Sequence, residues 1–249
     1  MKQRAAYTIP FDIELIKSFV VSLPFKLTDA QRRAIWEIGR DLSKSQPMNR
    51  LLEGDVGSGK TVVAAAAALL AVRAGWRVAY MAPTEILAIQ HHATFTRILA
   101  PFHINIGLRI ANSKKSKRGG ANENEDAPDI LIGTHALIQK NATPENLGLV
   151  IIDEQHRFGV NQRAALLQNQ ELRIKNQEND STRDPLIPDS LFSLPHFLSM
   201  TATPIPRTLA LTIYGDLDIS LLDEMPADRK PVITRVVPAG KRAEAYRFI

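Results

Sequence analysis

Eight consecutive residues, Gly54-Asp55-Val56-Gly57-Ser58-Gly59-Lys60-Thr61, set a lysine and a hydroxyl directly behind a glycine-rich run. A glycine, four spacers and then glycine-lysine-threonine is a spacing suited to phosphate. Glycine reaches φ > 0 and lets the backbone approach an anion, so successive N–H groups can point at it. A following helix would add the positive end of its dipole, Lys60 a point charge for the β/γ-phosphates, and Thr61 a hydroxyl for Mg²⁺. Gly54, Gly57, Ser58, Gly59, Lys60 and Thr61 thus predict a nucleoside triphosphate site.

A second set lies about ninety residues on, where the apolar run Leu149-Val150-Ile151-Ile152 ends in Asp153-Glu154-Gln155-His156. In an open α/β sheet, ligands collect outside the carboxyl ends of the strands. Asp153 is expected there to hold Mg²⁺ through its water shell, and Glu154 to polarise the attacking water. His156 could link the nucleotide site to the next strand.

The elements that must carry these residues alternate along the chain. A helix is expected from Thr28, where Thr28 and Gln31 have capping-box spacing and Ala34, Ile35, Ile38 and Leu42 recur at helical period. Strands are expected at 50–52, 77–82, 105–109, 129–132, 149–152 and 197–200, with helices at 60–73, 85–99 and briefly near Ala136. Residues 233–237 are strand-like. Continuous apolar strands alternating with helices argue for a doubly wound α/β fold, a mostly parallel sheet with helices on both faces. Residues 112–126 and 168–194 are polar, charged or broken by proline, and read as surface loops. Residues 1–26, with Pro10 and Pro24, read as a lead-in from an upstream domain, 27–237 as the main lobe, and 238–249 as the start of a linker.

Composition excludes several classes. Of 249 residues, 45% are apolar and 23% charged, as in a globular domain. The longest apolar run, 62–72, is too short for a bilayer span of roughly 20 residues. With no cysteine there is neither a disulfide framework nor a cysteine zinc site. No apolar stretch of signal-peptide type follows Met1, so a cytoplasmic location without membrane contact is expected. The net charge of +5 permits a polyanionic partner without demanding one.

Taken in order, Thr28-Asp29-Ala30-Gln31, the glycine-rich run, Ala82-Pro83-Thr84-Glu85, Gly133-Thr134-His135, Asp153-Glu154-Gln155-His156 and Thr201-Ala202-Thr203 resemble the first motor domain of superfamily 2 helicases. More narrowly, residues 54–61, 153–160 and 201–208 resemble the RecG family of ATP-driven double-strand DNA translocases, which remodel stalled forks and branched junctions. Leu23-Pro24-Phe25-Lys26-Leu27-Thr28 adds to the match, which spans about residues 23–237. Transcription-repair coupling translocases are similar across most of these motifs, but would carry a second acid at Gln155 and a bulkier residue at Ser58.

The resemblance implies roles by position. Lys60 and Thr61 would bind phosphate and metal, Asp153 Mg²⁺, and Glu154 would act as the base. Gln31 and Phe25 would contact adenine. Pro83, Thr84, Thr134 and His135 would meet the DNA backbone without reading sequence. Thr201 and Thr203 would couple nucleotide state to the DNA surface. ATP and Mg²⁺ are the implied cofactors, and double-stranded, branched DNA the partner. A second motor lobe and an upstream junction-binding domain are expected elsewhere in the same polypeptide, so this lobe should bind nucleotide yet turn over little ATP alone. A small-molecule kinase would have no use for the Asp-Glu-Gln-His and Thr-Ala-Thr motifs, whereas a lobe that binds without catalysis fits them in isolation.

Overall fold

Strands buried on both faces must be apolar almost without a break, and the two central strands here are buried at every position. The computed structural model describes residues 6–110, 127–134, 146–154, 194–203, 217–225 and 236–248. In chain order the described elements are α1 (Ile13–Ser22), α2 (Asp29–Leu42), β1 (Asn49–Gly54), α3 (Lys60–Arg73), β2 (Arg77–Met81), α4 (Glu85–Leu99), β3 (Ile106–Arg109), β4 (Ile130–Gly133), β5 (Leu147–Ile152), β6 (His196–Thr201) and β7 (Asp218–Leu222). A short helix over Arg242–Phe248 follows.

The strands form one sheet in the order β3-β4-β2-β5-β6-β1-β7. Every pairing is parallel, so the mostly parallel expectation becomes wholly parallel. One face carries α1 to α4, whose apolar residues join Leu52, Tyr80, Ile132, Ile151 and Met200 in the main core. The other face is buried through Ala79, Met81, Val150, Ile152 and Phe197. Helices expected on that second face fall outside the described residues.

Helix α3 runs through the middle of the helical layer, with residues 62–71 all buried. A helix apolar all round belongs in an interior. Its five consecutive alanines, 64–68, keep it thin enough to lie against the sheet and α1, α2 and α4 together.

Helices α3 and α4 occupy the expected ranges, and each strand expected between residues 50 and 200 is found within two residues at either end. Strand β7 was not anticipated. Residues 1–26, expected as a lead-in, include α1 among those described. Asp12 accepts from Leu15 N–H to cap this helix, and Phe19 and Ile9 are fully buried in the main core. The helix near Ala136 and the stretch 112–126 lie outside the described residues, as does 168–194 apart from Leu194. Of 233–237 only Val236 and Val237 are described, and neither is in a strand.

Candidate active site at the carboxyl edge of the sheet

Because all seven strands run the same way, their carboxyl ends share one edge, and the predicted motifs gather there. Strand β1 ends at Gly54 and the loop 55–59 turns into α3. Gly57 and Gly59 sit at φ +86° and +92°, a region that only glycine enters freely. Gly59 is the N-cap of α3 and offers no side chain, so no side-chain cap competes for the N–H groups of the first turn. A Cβ on Gly59 would fall 2.2 Å from Gln31 Nε2, and one on Gly54 would fall 2.6 Å from Ser58 Oγ. Ser58 is fully buried, and among the described residues its Oγ has no hydrogen-bond partner.

Lys60 Nζ donates to the loop carbonyls of Gly54 (2.5 Å) and Asp55 (3.1 Å). Burial lowers the pKa of this ammonium, while Glu154, Asp153 and Asp55 push it back up. Both acids at the end of β5 therefore act on the lysine of the glycine-rich loop. Asp153 is buried, with its N–H held by Met81 O at 2.9 Å. Glu154 has φ +53°, unusual for a residue with a side chain. Such local strain turns a side chain out of the strand's alternation and clusters at functional sites.

Gln31 lies where α2 meets the loop and is almost fully buried. Its Oε1 accepts from Thr28 N–H (3.0 Å), and its Nε2 donates to Ser58 O (2.8 Å). Both ends of the amide are thus engaged within the protein, and Gln31 braces the loop from behind. Phe25 precedes α2 and is 38% exposed. Thr201 ends β6, paired in register with Glu53 of β1, and its Oγ1 lies 2.9 Å from Thr203 Oγ1. The two threonines form one local turn beside the entry to the loop.

The other motifs lie on the neighbouring half of the edge. Thr84 caps α4, accepting from Leu87 N–H at 3.3 Å. Thr134 follows β4, the strand beside β2, and Ala82 N–H bonds Gly133 O at 2.8 Å. Pro83-Thr84 and Thr134 are therefore neighbours. His135 and His156 lie outside the described residues.

The residues present suit a phosphate group bound with a hard cation. The tight glycine loop, the orphaned Ser58 Oγ and the uncapped helix end suit the anion. Thr61 and Asp153 offer the oxygen donors that Mg²⁺ prefers. Among the described residues no three His, Asp or Glu side chains converge on a metal site.

Two contacts at the site were not read from the sequence. Glu224 Oε2, just past β7, accepts from Asp29 N–H (3.0 Å) and Ala30 N–H (3.3 Å) at the start of α2. His91 of α4 lies 2.8 Å from Asp153 Oδ2. Both join residues far apart in the chain, so no local spacing announces them.

The family model for DEAD/DEAH box helicases matches residues 28–212. The chain belongs to the DEAD/DEAH box helicase family. It is 46% identical over 251 residues to the ATP-dependent DNA helicase RecG of Aquifex aeolicus, covering 100% of this chain and 29% of the relative. It is 48% identical to RecG of Thermotoga maritima, covering 97% of this chain and 29% of that protein. It is 46% identical to RecG of Haemophilus influenzae, covering 98% and 33%. The helicase-family chain thus spans no more than about a third of these relatives. A solved structure of RecG bound to a three-way DNA junction superposes with a TM-score of 0.73 at 42% identity, over 98% of this chain and 30% of that one. The helicase MrfA bound to DNA, at 17% identity and TM-score 0.62, shares the fold.

Proposed function

We propose that this chain is the ATP-binding motor lobe of a RecG-like double-strand DNA translocase that remodels stalled forks and branched DNA in recombination and repair. The observation carrying this reading is that the glycine-rich loop after β1 and the Asp153-Glu154 pair after β5 emerge at the same carboxyl edge of one parallel sheet. A phosphate loop alone would suit many nucleotide enzymes; a loop facing an Asp-Glu pair across a parallel sheet suits a hydrolase motor.

In this reading Gly54, Gly57, Ser58, Gly59, Lys60 and Thr61 bind the ATP phosphates. Thr61 and Asp153 hold Mg²⁺, which when bound neutralises charge on the β- and γ-oxygens. Glu154 takes the proton of the attacking water. Phe25 and Gln31 contact adenine, and Gln31 also braces the loop through Ser58 O. Pro83, Thr84, Thr134 and His135 track the DNA backbone, while His156, Thr201 and Thr203 relay nucleotide state. Residues 27–237 form the lobe, with 1–26 and 238–249 as its flanks. A second motor lobe and a junction-binding domain belong to the same polypeptide, and the protein works in the cytoplasm. Among the described residues no helix is long and apolar enough to cross a membrane.

Lys60→Ala tests the reading, because it removes a charge-assisted contact to phosphate. Calorimetry should give a Kd for ATP at least about tenfold weaker, the loss of roughly 1.4 kcal/mol expected for one such hydrogen bond. Unchanged affinity would take the lysine out of the site.

A further inference from the structure

We propose that His91 is a positioning residue for Asp153, holding one carboxylate oxygen so that the other faces the metal; this rests on the nucleotide reading above. Nε2 of His91 and Oδ2 of Asp153 are 2.8 Å apart. A carboxylate only accepts, so Nε2 carries the proton and donates it. The pair is shielded, with side-chain exposures of 14% and 11%. The Asp153 main chain is fixed separately by its N–H bond to Met81 O, so the two contacts set backbone and carboxylate independently.

His91 is itself held in place. Its ring packs on Tyr80 of β2 at 4.8 Å between centroids, and Tyr80 packs in turn on Phe95, one helical turn beyond His91. Tyr80 is fully buried, and among the described residues its hydroxyl has no hydrogen-bond partner. The tyrosine therefore acts on His91 through its ring, as a rigid wall. Groups that orient a metal ligand from behind fix its geometry and raise its affinity for the ion.

The contact also gives α4 a place in the nucleotide site. Thr84 caps that helix at the DNA-facing edge, and His91 lies seven residues on, two turns or about 10.5 Å along the axis. A displacement of α4 is thereby felt at the metal acid.

The test measures Kd for ADP by calorimetry with Mg²⁺ and again with EDTA, in the wild-type chain, His91→Ala and His91→Gln. The ratio of the two constants reports the metal's contribution to binding. In His91→Ala the Mg²⁺ advantage should shrink about tenfold, the lower end for loss of a group behind a metal ligand. Its affinity in EDTA should stay near the wild-type value. His91→Gln keeps an amide N–H in reach and should restore most of the advantage. Should the alanine variant not fold, His91→Asn takes its place, with its donor set one bond short, and should lose most of the advantage.

An unchanged ratio in His91→Ala overturns the inference, as does an equal weakening with and without Mg²⁺, or a glutamine variant no better than alanine. In those cases wild-type ADP binding still stands, and the nucleotide site with it. A wild-type chain that binds no ADP removes both.

Discussion

The chemistry comes down to a few side chains whose surroundings set their behaviour. Burial makes the Lys60 ammonium easier to deprotonate, and the acids Glu154, Asp153 and Asp55 counter that. Glu154 is the residue to separate binding from chemistry, because it follows Asp153 directly beyond β5 at a φ of +53°. In the complete enzyme Glu154→Gln keeps the size and removes the base, so ATP affinity should hold while hydrolysis falls by about 10²-fold or more. Rapid-quench measurement of one turnover checks this, and a normal rate moves the base elsewhere. Glycine at 59 also has a reason beyond its φ, since any Cβ there would strike the Gln31 amide that braces the loop.

Elements far apart in the chain are tied together by a few buried polar contacts. His196, at the start of β6, accepts from Met48 N–H through Nδ1 at 3.0 Å and donates through Nε2 to Tyr7 O. That pattern needs the neutral ring, since a proton on Nδ1 would face the Met48 N–H. Burial lowers the His196 pKa, although Tyr7 O and Asp41 raise it. The unfolded chain titrates this histidine near its ordinary value of about 6.5. Its contribution to stability is then complete above that value and declines as pH falls towards the lower folded value. Urea melts over that range should show the decline, and His196→Gln should flatten it. A second tie joins α2 to β1 and β7. Arg50 donates to Asp41 through Nε and Nη2 at 2.8 and 2.6 Å, and through Nη1 to Ser220 Oγ at 2.9 Å. Burial raises the Asp41 pKa, but Lys44 and Arg50 outweigh it, and the net shift is downward. Arg50→Ala removes both hydrogen bonds to Asp41 Oδ2 and leaves that carboxylate to Lys44 alone, at a cost of about 1.5–3 kcal/mol. Chemical denaturation measures this; a loss under about 1 kcal/mol, typical of an exposed pair, would mean that the network is solvated.

Across the lobe, the strand order divides the carboxyl edge of the sheet into two halves, to which the proposed reading gives the nucleotide and the DNA. Strands β6 and β1 carry the nucleotide loop and the Thr201 turn, β2 and β4 carry Thr84 and Thr134, and β5 lies between with Asp153 at its end. Asp153 and Glu154, at the end of β5, thus stand at the border between the two halves. Because a motor of this type completes its site with arginines from a second lobe, the 249-residue chain should bind ATP but hydrolyse it about 10³-fold or more slower than the complete protein. A steady-state phosphate assay with branched DNA compares the two, and equal rates would contradict the division of labour. Much of this arrangement was legible from sequence where the cause is local. The Thr28–Gln31 capping box and the glycine entry to α3 fix helix starts through contacts three residues away. Apolar runs marked the central strands for the same reason. Helix α1 had its own signals, Asp12 followed by apolar residues at helical spacing, but flanking prolines obscured them. Edge strand β7 buries Ser220 and Leu222 while leaving Leu221 half exposed, so its apolar residues do not mark its buried side. Gln31 illustrates the boundary between the two kinds of knowledge: its capping role follows from spacing, whereas its grip on Ser58 O depends on where α2 lands. The Glu224 cap on α2 and the His91 contact with Asp153 join residues 195 and 62 positions apart. Local sequence dictates which groups are available, because propensity and capping act over a few residues. Only the packed sheet decides which of them meet, because that depends on strand order and on which faces are buried.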